Sequence, residues 1–277
     1  MKTLLDTPVL FKDPNYEKKI ISLDIETAPS LGTYYDPYKK MNIVWKEREW
    51  FVMGMSSKYV GKSKLYRNFI WNLPQWKKVF CKCCNKIDNV DIAEEVLIKE
   101  IWEILDKTQV VIGWNSDKFD IRKLNAKFIK YHLDPPSPYQ TIDAMKLHKK
   151  IANTDTNKLG DVGEFLGFGG KKETKKELTR RCLQNDKSSQ NEMEVYCDRD
   201  VILAEKIYLV ERGWNKSLTP NFNLIYGTLS HCPKCGSEHI NKAGFDYKAT
   251  TVRQSYRCLN CGARPSGETV QRNQPLK

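Results

Sequence analysis

Several groups of side chains in this chain have types and spacings suited to chemistry. In residues 20–29, IISLDIETAP, apolar Ile20, Ile21 and Leu23 lead into two carboxylates one residue apart, Asp24 and Glu26, with Ala28-Pro29-Ser30 as a turn signal behind them. Residues i and i+2 of a strand share a face, so the two acids are expected side by side at the end of an apolar strand. Carboxylates that close repel and raise each other's pKa unless a cation lies between them. Taken alone, a D-x-E is more often two exposed strand-end acids than a site.

Two further clusters change that weighing. In residues 111–124, VIGWNSDKFDIRKL, an apolar strand runs into Asn115, then a turn, then Phe119-Asp120 opening a helix. A carboxylate there lies beside the strand end from which Asp24 and Glu26 project. By itself Asp120 reads as a first-turn acid favoured by the helix dipole, with Asp117 as the cap. In residues 192–201, EMEVYCDRDV, Tyr196 and Asp200 are one helical turn apart on one face, and Asp198 points away from it. Alone they are a surface pair.

The nine cysteines form a second chemistry. Cys232-Pro-Lys-Cys235 and Cys258-Leu-Asn-Cys261 are two C-x-x-C knuckles, each followed by a glycine, Gly236 and Gly262. Their spacer of about twenty residues is that of a zinc ribbon. Four thiolates close such a site, so the zinc is structural. Lys234, Lys242, Lys248, Arg253, Arg257 and Arg264 make the module basic, suited to holding nucleic acid, to docking a replication partner, or to neither. Cys81, Cys83 and Cys84 have no nearby fourth ligand and read as incidental more often than as a metal site. Cys182 and Cys197 read as ordinary thiols.

The elements that must position these groups follow in order. Residues 18–24, 50–58 and 64–70 read as strands forming a meander, with a turn at Gly61-Lys62-Ser63. Residues 29–50 lack periodicity and read as an excursion over the site. A helix over 91–106 carries Ile92, Val96, Ile98, Ile101, Trp102 and Leu105 as its apolar stripe. A buried strand over 110–113 and a helix over 118–131 follow, the latter facing inward with Ile121, Leu124, Phe128 and Ile129. Residues 139–142 are a fifth strand, and Asp143 at its end is a spare acid left outside the site. Helices dominate thereafter, most clearly over 158–166 and 190–212, with Asp161 and Glu164 on a helix surface. The basic segment 169–181, GGKKETKKELTRR, is suited to phosphate contact. The sum is an α/β fold, a mixed sheet with helices packed on it.

The formal net charge of +12 suits a polyanionic partner. No apolar run has the length of a membrane span, and the first nineteen residues are too charged for a secretory signal, so the protein reads as cytoplasmic.

D-x-E on a first strand, N-x-x-x-F-D after a middle strand and Y-x-x-x-D on a late helix occur here in that order. This resembles the tyrosine-containing branch of the DEDD exonucleases, on a ribonuclease H-like fold, and most of all the proofreading domains of family B DNA polymerases and their stand-alone phage and bacterial relatives. DIETAPSLG, FVMGMSSKYVG, GWNSDKFDIRKL and KLGDVGEFLGFGGKK are similar to those relatives over roughly residues 18–210. The resemblance implies a catalytic set of Asp24, Glu26, Asp120, Tyr196 and Asp200. It implies two Mg²⁺ or Mn²⁺ ions, bridged by Asp24, with Glu26 and Asp200 completing one ion, Asp120 supporting the other and Tyr196 orienting the nucleophile. Thr27, Asn115, Lys171 and Lys172 are the candidate substrate contacts. Aromatics among Tyr34, Tyr35, Tyr38, Trp45, Trp50 and Phe51 are candidates for base stacking, several of them expected in the core.

The expected organisation is a ribonuclease H-like exonuclease domain over 1–212, a linker over 213–228 and a zinc ribbon over 229–277. The expected activity is 3′–5′ removal of nucleoside monophosphates from single-stranded or frayed DNA ends. Three rivals stand beside it: an exoribonuclease with the same site, an inactive nucleic-acid-binding protein, and a proofreading subunit working with a separate DNA polymerase or replication protein.

Overall fold

Nine residues of β1 (Ile20–Ala28) make the central strand because most of them are buried on both faces. The computed structural model describes residues 20–34, 43–81, 87–169, 176–215, 221, 223, 230–248 and 250–272. After β1 comes a small antiparallel hairpin, β2 (Leu31–Tyr34) and β3 (Ile43–Arg48). Its pairing shifts register twice, which is why no alternation is legible over 29–50. β4 (Phe51–Tyr59) then pairs antiparallel with β1, and β5 (Leu65–Phe69) antiparallel with β4, giving the expected meander.

On its other side β1 runs parallel to β6 (Val110–Gly113), and β6 runs parallel to β7 (Gln140–Asp143). The five-stranded order is β5-β4-β1-β6-β7. Parallel strands end at the same sheet edge, so β1, β6 and β7 all deliver their C-terminal residues there. β1 is longer than expected. Asp24 and Glu26 lie within it, opposite Ser56 and Gly54, and the strand ends at the Ala28-Pro29 signal.

The two faces of β1 are covered differently. Ile21, Leu23 and Ile25 join the main core with Leu97, Ile98 and Ile101 of α1 (Asp91–Asp106). Ser22, on the opposite face, donates its hydroxyl to the Val201 carbonyl of α6 (Lys187–Glu211) at 3.0 Å. Asp24 and Glu26 share the Ser22 face and therefore look toward α6. Between these helices come α2 (Asp120–Lys130), α3 (Ala144–Ile151), α4 (Leu159–Phe165) and α5 (Lys176–Leu183).

The inward stripes of α1 and α2 differ from the apolar reading. Ile92 and Ile129 are exposed, while Glu94 and Lys127 are buried. Glu94 accepts from the Val52 amide at 2.8 Å and from the Tyr131 hydroxyl at 2.6 Å, and lies 2.9 Å from the Lys127 ammonium. Lys127 also donates to the Trp50 carbonyl at 2.7 Å. Ile98, Ile101 and Leu105 of α1 and Leu124 and Phe128 of α2 are buried as expected; the satisfied ion pair lies among them and ties α1, α2 and β4 together.

The C-terminal unit is an antiparallel sheet in the order β10-β9-β8: β8 (Ile240–Tyr247), β9 (Thr251–Cys258) and β10 (Ser266–Arg272). No helix among the described residues is long and apolar enough to cross a membrane.

Removing one partner of a buried pair leaves a bare charge, so Glu94→Leu should lower unfolding free energy by about 3–5 kcal/mol in urea titration. The double substitution Glu94→Leu with Lys127→Met should recover most of that loss; a double variant as unstable as the single would show that the pair does not govern this contact.

Candidate active site

The site is built where β1 outruns its parallel neighbour. The last β1–β6 partners are Ser22 and Ile112, and β6 stops at Gly113. Beyond that point the β1 amides on the β6 side have no strand to bond. Asp120 fills the gap: its Oδ1 accepts the Ile25 N–H at 3.0 Å. Asp120 therefore sits at the start of α2 as expected, but facing into the protein, only 3 % exposed. Asp117 does not cap this helix; it accepts from Lys146 at 2.7 Å, and Phe119 occupies the cap position without a side-chain bond.

Burial pushes the Asp120 carboxyl up to about 7. The Ile25 amide and its own amide oppose the rise, and the nearby carboxylates of Asp143 and Asp200 add to it. Asp24 and Glu26 offer oxygens that, with the Cys197 sulfur, lie within 4.8 Å of one another. Asp24, Glu26, Asp120 and Asp200 are thus gathered at one end of the sheet, from β1, α2 and α6. Tyr196, one turn before Asp200, is half-buried against the main core.

α6 is held in register by polar bonds on its other faces. Asp198 turns away from the site, as expected, and accepts from Ser56 of β4 and Arg67 of β5, each at 2.7 Å. Glu194 accepts from the Trp71 indole at 2.8 Å and from Asn72 at 2.9 Å. Glu205 pairs with Lys58 and accepts the Gly61 amide at 2.6 Å. These bonds fix the rotation of α6 and so the direction of Tyr196 and Asp200.

Two residues belong to this environment that the sequence reading set aside. Asp143 lies opposite Gly113 in the parallel register. Its Oδ1 accepts the amides of Asn115, Met145 and Lys146 at 3.0, 3.1 and 3.2 Å, capping α3 and holding Asn115 at a φ of 60°. Its Oδ2 is buried with no hydrogen-bond partner among the described residues. The parallel strand order was the available signal. Cys197 is buried, and burial, with Asp24 and Glu26 beside it, holds its thiol protonated, well above the ordinary range. It contacts the carbonyl and Oδ2 of Asp24, both at 3.4 Å.

Of the other candidates, Thr27 pairs with Val52 just past a register shift in β1. Phe51 is in the core, and Trp50 lies under the ammonium groups of Lys123 and Lys127, so neither is open for stacking; Trp45 is exposed. Tyr35, Tyr38, Lys171, Lys172, Cys83 and Cys84 fall outside the described residues. The later part of the basic segment forms α5, whose Cys182 thiol is pushed up to about 12 by burial first and by surrounding carboxylates that include Glu26. On the same helix Arg180 and Arg181 are exposed and lie 3.9 Å from Glu177 and 3.7 Å from Glu192.

The hard oxygen donors fit divalent ions such as Mg²⁺ or Mn²⁺: a buried carboxyl raised to about 7 and an unpartnered carboxylate oxygen both favour a cation nearby. At the C-terminus, Cys232, Cys235, Cys258 and Cys261 present four sulfurs within 4.8 Å. Their pairs stand 3.7 Å (Cys232–Cys261) and 3.6 Å (Cys235–Cys258) apart. A zinc tetrahedron with about 2.3 Å bonds has edges of about 3.8 Å, whereas a disulfide needs about 2.05 Å. Gly236 and Gly262 take positive φ of 71° and 72°, completing two equivalent knuckles.

A family model described as RNase_H superfamily matches residues 78–209. That segment carries Asp120, Asp143, Tyr196 and Asp200 and begins downstream of β1. Together with the five-stranded mixed sheet it makes the fold ribonuclease H-like. No match was found among curated proteins.

The raised Asp120 carboxyl has a defined pH signature. Below about pH 4 the group is protonated folded and unfolded, and contributes nothing. As pH climbs, the unfolded acid ionises while the folded one keeps its proton until about 7. The metal-free fold is therefore penalised progressively across that window, by roughly 4 kcal/mol at its upper end. In EDTA, Asp120→Asn should melt higher than the parent at pH 8, with the advantage vanishing by pH 4. Equal melting temperatures at pH 8 would contradict the raised carboxyl.

Proposed function

We propose that the protein is a metal-dependent 3′–5′ exonuclease that releases nucleoside monophosphates from single-stranded or frayed DNA 3′ ends, with a zinc ribbon appended at its C-terminal side. The observation that carries this reading is the convergence of Asp24 and Glu26 on β1, Asp120 on α2 and Asp200 on α6 at one end of a ribonuclease H-like sheet. Divalent ions held by these carboxylates would neutralise charge on the phosphate and on the leaving oxygen. Tyr196 orients the attacking water from the helical turn before Asp200. Asn115, whose amide Asp143 holds at the end of β6, is the candidate polar contact to the substrate on that side, and the basic segment leading into α5 is the candidate phosphate contact.

Polarity and the DNA preference rest on the resemblance of the three motifs to proofreading exonucleases. The zinc reading rests on the four-sulfur geometry. The ribbon is basic, and its edge strand β8 exposes Phe245 and Tyr247, which suits it to gripping the single strand. A separate polymerase or replication protein is the partner such a nuclease would serve.

The test is a time course on 5′-labelled and 3′-labelled single-stranded oligonucleotides of DNA and RNA with Mg²⁺ or Mn²⁺, the 5′ label reporting the ladder and the 3′ label the released mononucleotide. A descending ladder on DNA, with mononucleotide as product, is expected. Asp24→Ala should cut the rate roughly 1,000-fold, the effect of about 4 kcal/mol of lost charge stabilisation. Tyr196→Phe should cost less, about 100-fold. A ladder on RNA alone would reassign the substrate and keep the site. Parent-like turnover by Asp24→Ala would remove the site assignment itself.

A further inference from the structure

The ribbon is joined to the nuclease fold through its metal site. α6 ends in a 3-10 turn, Arg212–Trp214, that lies against the second cysteine knuckle. A Cβ placed on Gly213 would stand 2.1 Å from the Cys261 carbonyl oxygen and 3.4 Å from the Ala263 amide. The two backbones touch, and only glycine permits it.

Two cations are trapped at this contact. Arg212, from the end of α6, is 9 % exposed, and Lys234, inside the first knuckle, is 6 % exposed. The Arg212 Nε and the Lys234 Nζ are both buried with no hydrogen-bond partner among the described residues. The electrostatic neighbours of Lys234 are Cys232 and Cys261, with Lys150 at the end of α3 opposing them. Arg212 faces Cys235 and Tyr208. The carboxylate next in sequence, Glu211, is engaged by His148 at 2.5 Å. Buried cations without a counter-charge are costly, and among the described residues neither the Arg212 Nε nor the Lys234 Nζ has a hydrogen bond to relieve it. A zinc ion with four thiolates carries a net charge of −2, which matches two cations.

We propose that Arg212 and Lys234 are the charge-compensating partners of a zinc tetrathiolate, one supplied by the nuclease helix and one by the ribbon, so that zinc loading fixes the ribbon to the end of α6. The inference rests on the zinc reading of the four cysteines. Outer groups of this kind tune a metal's retention and are part of the site. The same helix carries Tyr196 and Asp200, so the joint ties the ribbon's orientation to the element that bears half of the candidate active site.

The test uses the full chain and two readouts other than activity. Zinc content and the rate of zinc transfer to a chromogenic chelator are measured for the parent, Arg212→Met, Lys234→Met and Arg212→Lys. About one zinc per chain is expected in the parent. Arg212→Met and Lys234→Met should each lose zinc about 10-fold faster or more, with Arg212→Lys close to the parent. Melting temperature is then compared with and without zinc. Arg212→Met should melt lower than the parent when loaded, and at the same temperature or higher when stripped, because the orphan cation is gone. A parent without zinc would overturn the ribbon reading. Zinc present, with unchanged release or an equal loss of melting temperature in both states, would overturn the cation pairing alone.

Discussion

One hydrogen bond sits at the centre of the arrangement, from the Ile25 amide to the Asp120 carboxylate. It exists because β1 continues past the point where β6 stops. A strand amide facing a gap in a buried sheet must find an acceptor, and unpaired it would cost about 1–3 kcal/mol. Supplying that acceptor from an acid brings a carboxyl beside Asp24 and Glu26 at a place where it is hard to ionise. The sheet's backbone need and the site's excess of acid are thus met by the same group. The raised affinity of Asp120 for its proton follows from its burial and from Asp143 and Asp200 nearby.

α6 is the second constraint, and its work lies in its buried acids. Glu194, Asp198 and Glu205 each reach a different part of the meander, at Trp71 and Asn72, at Ser56 and Arg67, and at Lys58 and Gly61. Apolar packing alone lets a helix slide or rotate by small amounts. Three sets of directional bonds spread over three turns do not. Tyr196 and Asp200 leave the same helix at intermediate positions, so these bonds help to set their aim.

Much of this was legible in the chain, for physical reasons that can be named. The strands β1, β4 and β6 carry apolar runs and the helix α1 an apolar stripe, and the two C-x-x-C knuckles have the spacing of a zinc ribbon. Asp24 with Glu26, and Tyr196 with Asp200, are pairs whose geometry follows from local repeat alone. What was not legible came from contacts distant in sequence. Lys127 and Glu94 look like surface residues until each is seen to be the other's partner, and their burial pushes Ile92 and Ile129 outward. Asp143 acquires its place from parallel pairing with β6, and Cys197 from the approach of α6 to β1. The hairpin β2–β3 was hidden by its register shifts.

The two candidate metal centres differ in how their charge is closed, and the difference follows from the residues around them. At the sheet edge the neighbours of the carboxylates are further carboxylates: Asp143 carries a buried oxygen without a bond, and Asp200 raises the pKa of Asp120. Such a place favours cations but is not finished by the protein's own charges, so ions and a phosphate-bearing strand can complete it together. At the knuckles the neighbours of the sulfurs are buried cations, Arg212 and Lys234, and the protein itself supplies the counter-charge. A soft four-sulfur set closed in this way keeps its ion. An oxygen site left open to its substrate's charge gains its ions most strongly when the substrate arrives. One helix, α6, passes from the first environment to the second within a few turns. Asp200 belongs to the first, and Arg212, just past the helix end, belongs to the second.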